Sequence, residues 1–212
     1  TSTDGNLNNI AIGQQSLYKI EDGDSNVAIG YKSANEIKDG QQNVAIGYQA
    51  QLYDETCDHN VAVGRDALRG SASSNNQQYN VGAGAASLYA ITTGGYNTAV
   101  GANAGGSLTT GSSNIFVGYL AGYGATATES DILYIGNDAP LSDGTLIKAD
   151  LENKHLAIGM ADDHFSNSAG DPTLQIYPKE AADEAIFVKM PTSHSANLIQ
   201  IQNSSGTDLF VV

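Results

Sequence analysis

The 212-residue chain has no tryptophan, one cysteine and four prolines. The lone Cys57 excludes an internal disulfide framework, so packing and hydrogen bonding must hold the fold. Positive charge is scarce: 9 Lys and Arg stand against 23 Asp and Glu, giving a net charge of −14 and a pI near 4.3. A nucleic-acid partner is therefore not expected, because a phosphate backbone needs clustered Lys and Arg. Docking on anionic membranes is disfavoured for the same reason. Charged residues of both signs make up only 15% of the chain, against a usual share of about a quarter. No apolar run approaches the ~18 residues of a membrane span, so no membrane insertion is expected. No basic stretch followed by an apolar one opens the chain, so no secretory leader is read there. The chain opens on Thr1 rather than Met and ends on Val212 within an apolar run, and it is expected to be a piece of a longer polypeptide.

What is abundant is glycine, at 24 residues, and it is periodic. The unit Asn-x-Ala-(Ile/Val)-Gly begins at Asn9, Asn26, Asn43, Asn60, Asn80, Asn97 and Asn114, with steps of 17, 17, 17, 20, 17 and 17. The longer step contains the Ser/Asn/Gln stretch 71–78 and reads as a three-residue loop insertion. A degenerate eighth copy lies at Ile132–Gly136. The repeat glycines are Gly13, Gly30, Gly47, Gly64, Gly84, Gly101 and Gly118. One and three residues before each, Ile, Val or Thr predominates, with Ala83 the exception. β-Branched residues at alternate positions predict a short strand, which the glycine ends where a positive φ or a close approach is needed. Seventeen residues are too few for a pair of helices. They suit one coil of an all-β parallel β-solenoid of about eight coils, which would rise ~38 Å at the usual strand spacing.

The residues between the β-branched pair are small: Ala11, Ala28, Ala45, Ala62 and Ala99, with Gly82 and Phe116 in the other two copies. A solvated strand face would carry Thr, Lys or Glu there, so this face is expected to be covered. The preferred reading is that these alanines pack between copies around a homotrimer axis. The alternative arrangement turns the alanines into the chain's own core and the Ile/Val columns outward onto a partner. Both demand assembly. The asparagine column is expected to form a hydrogen-bonded ladder or to tie its own turns, rather than to bind a ligand.

Residues 70–128 contain no Asp, Glu, Lys or Arg, which is read as tighter subunit packing in preference to a sugar-stacking surface. All four prolines, Pro140, Pro172, Pro178 and Pro191, lie beyond the repeats. The organisation predicted is a repeat solenoid over 1–136, a neck over 137–170 and a smaller β-rich segment over 171–212. Strands are predicted at 144–148, 154–159, 174–177, 185–188, 197–202 and 209–212, the last two as a hairpin or solenoid corner.

Candidate chemistry is sparse. The run from Asp54 to His59 holds two Asp, a Glu, a Cys and a His, but it lacks metal-site spacing and reads as a solvated loop. Asp162, Asp163 and His164 read as a polar turn, and Asp22-Gly23-Asp24 is only a fragment of a calcium loop. No nucleophile, zinc-hydrolase or phosphate-loop motif occurs. No cofactor, metal or enzymatic activity is expected. A glycan-degrading fibre enzyme is the alternative from a different class, though nothing selects a pair of carboxylates.

Asn26-Val-Ala-Ile-Gly30 and Asn43-Val-Ala-Ile-Gly47 resemble the head repeats of trimeric autotransporter adhesins. Gly47-Tyr-Gln-Ala50 and Gly118-Tyr-Leu-Ala121 are more similar to the longer repeats of phage tail-fibre and virion appendage proteins, as is the stretch from Ala196 to Val212. The resemblance spans roughly residues 5–136. It implies a homotrimeric structural fibre on a virion, partnered by other fibre or tail proteins and by a host-surface glycan or protein receptor. A bacterial surface adhesin head is the alternative, which would place the chain at an extracellular cell surface. Tyr31, Tyr48 and Tyr119 follow repeat glycines and are the candidate receptor contacts, their other role being packing between coils or chains.

Overall fold

The structure is a computed structural model. It describes residues 8–71, 77–124, 127–137 and 145–152, with the strand residues 155–158, 174–176, 200–202 and 208–211. Among the described residues there is no helix. The repeats supply three-residue strands β1 (Ile10–Ile12), β2 (Val27–Ile29), β3 (Val44–Ile46), β4 (Val61–Val63), β5 (Val81–Ala83), β6 (Thr98–Val100) and β7 (Ile115–Val117). They are followed by β8 (Ile132–Gly136), β9 (Thr145–Asp150), β10 (His155–Ile158) and β11 (Leu174–Ile176). β1 to β8 pair in sequence order, all parallel, and β1 to β7 are in strict register: Ala11 lies over Ala28, Ala28 over Ala45 and Ala45 over Ala62. The result is a parallel β-solenoid of about seven turns. β9 then reverses direction against β8, β10 is antiparallel to β9, and β11 is parallel to β10. β12 (Gln200–Gln202) and β13 (Asp208–Val211) belong to a second compact unit, Ala182–Val212, and pair antiparallel. The strand predicted at 185–188 lies outside the described residues.

A strand of three residues cannot hold a coil alone. The segment that follows each glycine stacks on its counterpart by backbone hydrogen bonds as the strand does. Leu17 N–H donates to the Ser33 carbonyl at 3.1 Å, Lys19 to Asn35 at 3.1 Å, and Lys32 back to Gln14 at 3.0 Å. Reversing direction within 17 residues requires left-handed backbone at recurring positions. The second residue after the glycine is left-handed in every coil, as at Lys32 (φ 53°) and Asp66 (φ 57°). So are the fourth, as at Leu68 (φ 45°), and the one just before the asparagine, as at Tyr96 (φ 60°). These conformations are unfavourable for leucine and tyrosine, and they persist because a backbone hydrogen bond to a neighbouring coil holds each, Leu68 N–H on the Ser87 carbonyl and Tyr96 N–H on that of Gln78.

The alanine column faces the inside of the coil, which corrects the preferred expectation. Ala28, Ala45, Ala62 and Ala99 are fully buried within the chain itself and so cannot pack between copies. Ala11, in the first described coil, is exposed. The physical reason is the width of the coil. Leu68 and Leu88, Ile37, Ile91 and Leu108 reach across from the return segment and meet the strand. A Cβ on Gly82 would come within 2.1 Å of Leu68 Cδ1. Where the strand carries Phe116 instead, the leucine position becomes Gly105 and Gly122, whose added Cβ atoms would meet that ring at 2.7 and 2.1 Å. Large and small residues trade places across the interior while its volume stays filled.

Candidate interaction surface

With the alanines inside, the β-branched columns point out. Ile12 is 57% exposed and Val100 45%, and Ile46, Val63, Ile115 and Val117 are also exposed. With the partly exposed Val27, Ile29, Val44, Val61 and Val81 they form a mainly apolar strip along the sheet, broken by Thr98 and the small Ala83 and uncovered in the single chain.

Two columns flank this strip. On one side lies the residue after each glycine, which places the predicted Tyr31, Tyr48 and Tyr119 here, all exposed. Tyr31 and Tyr48 stack at 5.3 Å between ring centroids. The other side was not singled out from the sequence. It carries the residue before each asparagine and holds a second ladder: His59 on Tyr79 at 4.7 Å and Tyr79 on Tyr96 at 4.9 Å, with ring planes nearly parallel. The signal that could have found it is the aligned column itself. The two flanks alternate. The strand rows of β2, β3 and β7 place Ser25, Gln42 and Ser113 on one side and Tyr31, Tyr48 and Tyr119 on the other. The rows of β4, β5 and β6 place His59, Tyr79 and Tyr96 on the first side and Arg65, Ala85 and Ala102 on the second. Each of these six rows bears one aromatic ring, on one flank only.

The asparagine column points inward and is a structural ladder. Each side-chain oxygen accepts from the backbone N–H of the asparagine one coil on: Asn26 to Asn9 at 2.8 Å, Asn43 to Asn26, Asn60 to Asn43, Asn80 to Asn60, Asn97 to Asn80 and Asn114 to Asn97. Each side-chain amide donates to a carbonyl in the next coil, as Asn80 does to Gly94 at 2.9 Å. Asn26, Asn43, Asn60, Asn80, Asn97 and Asn114 are buried, so no ligand reaches them.

The run from Asp54 to His59 differs from the solvated loop expected. Asp54 and Cys57 are fully buried, because Asp54 occupies the interior position held elsewhere by Ile37, Ile91 and Leu108. Gln51 and Gln77 are buried beside them, and Gln51 Nε2 lies 2.9 Å from Cys57 Sγ. Both carboxylate oxygens of Asp54 and the side-chain oxygens of Gln51 and Gln77 lack a hydrogen-bond partner of good geometry. Burial pushes the Asp54 carboxyl well above its ordinary value; Cys57 and Gln51 beside it pull partly back, and Asp58 adds to the rise. Burial, then the Asp54 charge, hold the Cys57 thiol up, which leaves it a poor nucleophile. His59 instead points out onto Tyr79, and Asp58 Oδ1 accepts from the Gln41 backbone N–H. These groups do not converge. Among the described residues no cluster of three or more His, Cys, Asp or Glu could hold a metal ion. Asp162, Asp163 and His164 lie outside the described residues.

The buried polar layer makes a clear prediction. Asp54→Ile restores the column and removes two unpartnered oxygens, and it is expected to raise unfolding free energy by about 2 kcal/mol in urea titration. The pH dependence has a fixed sign. The folded-state pKa is raised above the unfolded value of about 3.9, so the contribution of Asp54 is fully present below that value and is lost as pH rises. Wild type and Asp54→Asn should therefore differ least below about pH 4, with wild type losing ground as pH rises toward 7. Equal pH profiles would show that Asp54 is hydrated.

No family model matches the chain, and no curated protein or solved structure shows significant similarity to it. Among the described residues, no helix is long and apolar enough to cross a membrane.

Proposed function

We infer that the chain is a segment of a homotrimeric fibre of a phage tail or virion appendage, acting as a rigid spacer and a host-receptor-binding element. One observation carries this reading: a mainly apolar strip, exposed or partly exposed at each row, lies along a strictly registered β-stack whose own core is already filled. Exposed apolar surface of that extent marks an interface, and copies sharing a long axis are the partner that a uniform repeat fits best. The resemblance of the Asn-x-Ala-Ile-Gly units to fibre and adhesin repeats points the same way. A stack whose every coil is hydrogen-bonded to the next resists bending, which suits a spacer. Three copies on one axis give avidity to weak contacts with a host-surface glycan or protein. Other fibre or tail proteins would continue the shaft.

The test is the solution mass of residues 1–212 by light scattering after size exclusion. About three times 22.0 kDa is expected. A folded monomer at micromolar concentration overturns the reading. Adsorption of the assembled protein to candidate host cells then tests the receptor role, with heat-unfolded protein as the control.

A further inference from the structure

Resting on the multimer reading above, we propose that the one-ring-per-row pattern makes the sheet face self-complementary and specifies a parallel, in-register cyclic assembly. In it, the aromatic ring of one chain fills the notch left by the small or polar residue of its neighbour at the same height. When copies turn about an axis parallel to the stack, the flank before the asparagine on one chain meets the flank after the glycine on the next. Tyr96 then meets Ala102 of the neighbouring copy, Tyr79 meets Ala85, and Tyr31 meets Ser25. Rows β2, β3, β5, β6 and β7 each set one ring against a small or uncharged polar residue, so none of the five is crowded by two rings or left hollow; in the β4 row His59 faces the long side chain of Arg65 instead of a notch. Filled volume without overpacking is what a protein interior requires.

The same pattern opposes the antiparallel alternative. A two-fold axis across the stack would bring like flanks together and set the β2 row against the β7 row. Tyr31 would then collide with Tyr119, and Ser25 would face Ser113 across a void. The arrangement therefore selects orientation as well as contact, by penalising the wrong partner. It also assigns Tyr31, Tyr48 and Tyr119 to chain–chain packing instead of to a receptor. The absence of Asp, Glu, Lys and Arg from residues 70–128 fits this assignment, because the face of β5 to β7 would be buried without unpaired charge.

Disulfide trapping in the full 212-residue chain tests this. Tyr96→Cys with Ala102→Cys should give dimers and trimers on a non-reducing denaturing gel after mild oxidation. Within one chain the two sites lie on opposite flanks of one strand row with the extended strand Thr98–Val100 between them, so positions 97 to 101 alone span about 13 Å and the pair cannot bridge across the ~7 Å limit between Cα atoms. Ser25→Cys with Ser113→Cys should give no crosslink above background, and a strong one would show antiparallel packing and overturn the proposal. A protein of trimer mass whose Tyr96→Cys/Ala102→Cys variant stays uncrosslinked overturns the ring-in-notch geometry while leaving the multimer reading intact. A monomer overturns both. A size swap gives an independent readout. Ala102→Tyr alone places two rings in one row and should lower the association constant at least 10-fold. Adding Tyr96→Ala should restore it. Failure of that rescue in a folded, assembled protein also overturns the proposal.

Discussion

Gly84→Ala should leave little or no folded protein. Gly84 sits at φ +144°, and a Cβ there would lie 2.4 Å from the Gly101 carbonyl oxygen and 2.5 Å from its carbon. Those atoms are the backbone of the next coil, so no rotamer change relieves the overlap. Moving that coil away breaks the hydrogen bond from Gly101 N–H to the Ala83 carbonyl, 2.8 Å long, and with it the register above. A loss of more than about 4 kcal/mol is expected, at the extreme end of single substitutions. Gly124→Ala is the matched control. It too has positive φ, at +96°, but nothing lies within 4 Å of its added Cβ. Only the conformational strain remains there, about 1–2 kcal/mol. Thermal unfolding by circular dichroism separates the two. If Gly84→Ala melts within a few degrees of wild type, the coils are not stacked glycine on glycine.

Asn80→Ala should be the most damaging truncation of a side chain. It leaves the Asn97 N–H without its acceptor at 3.0 Å and the Gly94 carbonyl without its donor at 2.9 Å, both in the dry interior. Each orphaned backbone group costs about 1–3 kcal/mol, so a loss of about 3–5 kcal/mol is expected in urea titration. The Asn80 side-chain oxygen also accepts from Asn97 Nδ2 at 3.0 Å, and Asn80→Asp tests whether an acceptor alone suffices. It keeps an acceptor for Asn97 but brings a charge and no donor into the core, and so should rescue nothing at neutral pH. A midpoint for Asn80→Ala close to wild type would mean that water replaces the ladder.

The repeat, its parallel stacking and the strand positions were legible because each coil restates the same few columns, so chance identities at single positions average out. Which way the alanines face was not legible. Alternation assigns residues to two faces of a strand but does not say which face a 17-residue coil encloses; that is decided by Leu68, Leu88 and Ile91 arriving from the return segment. The left-handed residues were equally hidden, since Leu68 and Tyr96 carry no local preference for that conformation and adopt it only because neighbouring coils hold them there. Asp54 misled for a related reason. A run of polar residues suggests solvent, whereas the coil period carries Asp54 to the place of Ile37 and Ile91. Counting positions from the glycine, rather than judging local polarity, would have found it. The ring ladder His59–Tyr79–Tyr96 would have emerged from the same column count.

Ring and notch lie on the same strand row, six residues apart, as Ser25 and Tyr31 do on β2 and Tyr96 and Ala102 on β6. In the proposed assembly a coil would thus encode both halves of its own contact within a stretch of DNA shorter than the repeat. Unequal recombination that duplicates or deletes one 17-residue unit would carry both halves together, so lineages could lengthen or shorten the solenoid without inventing a new fit.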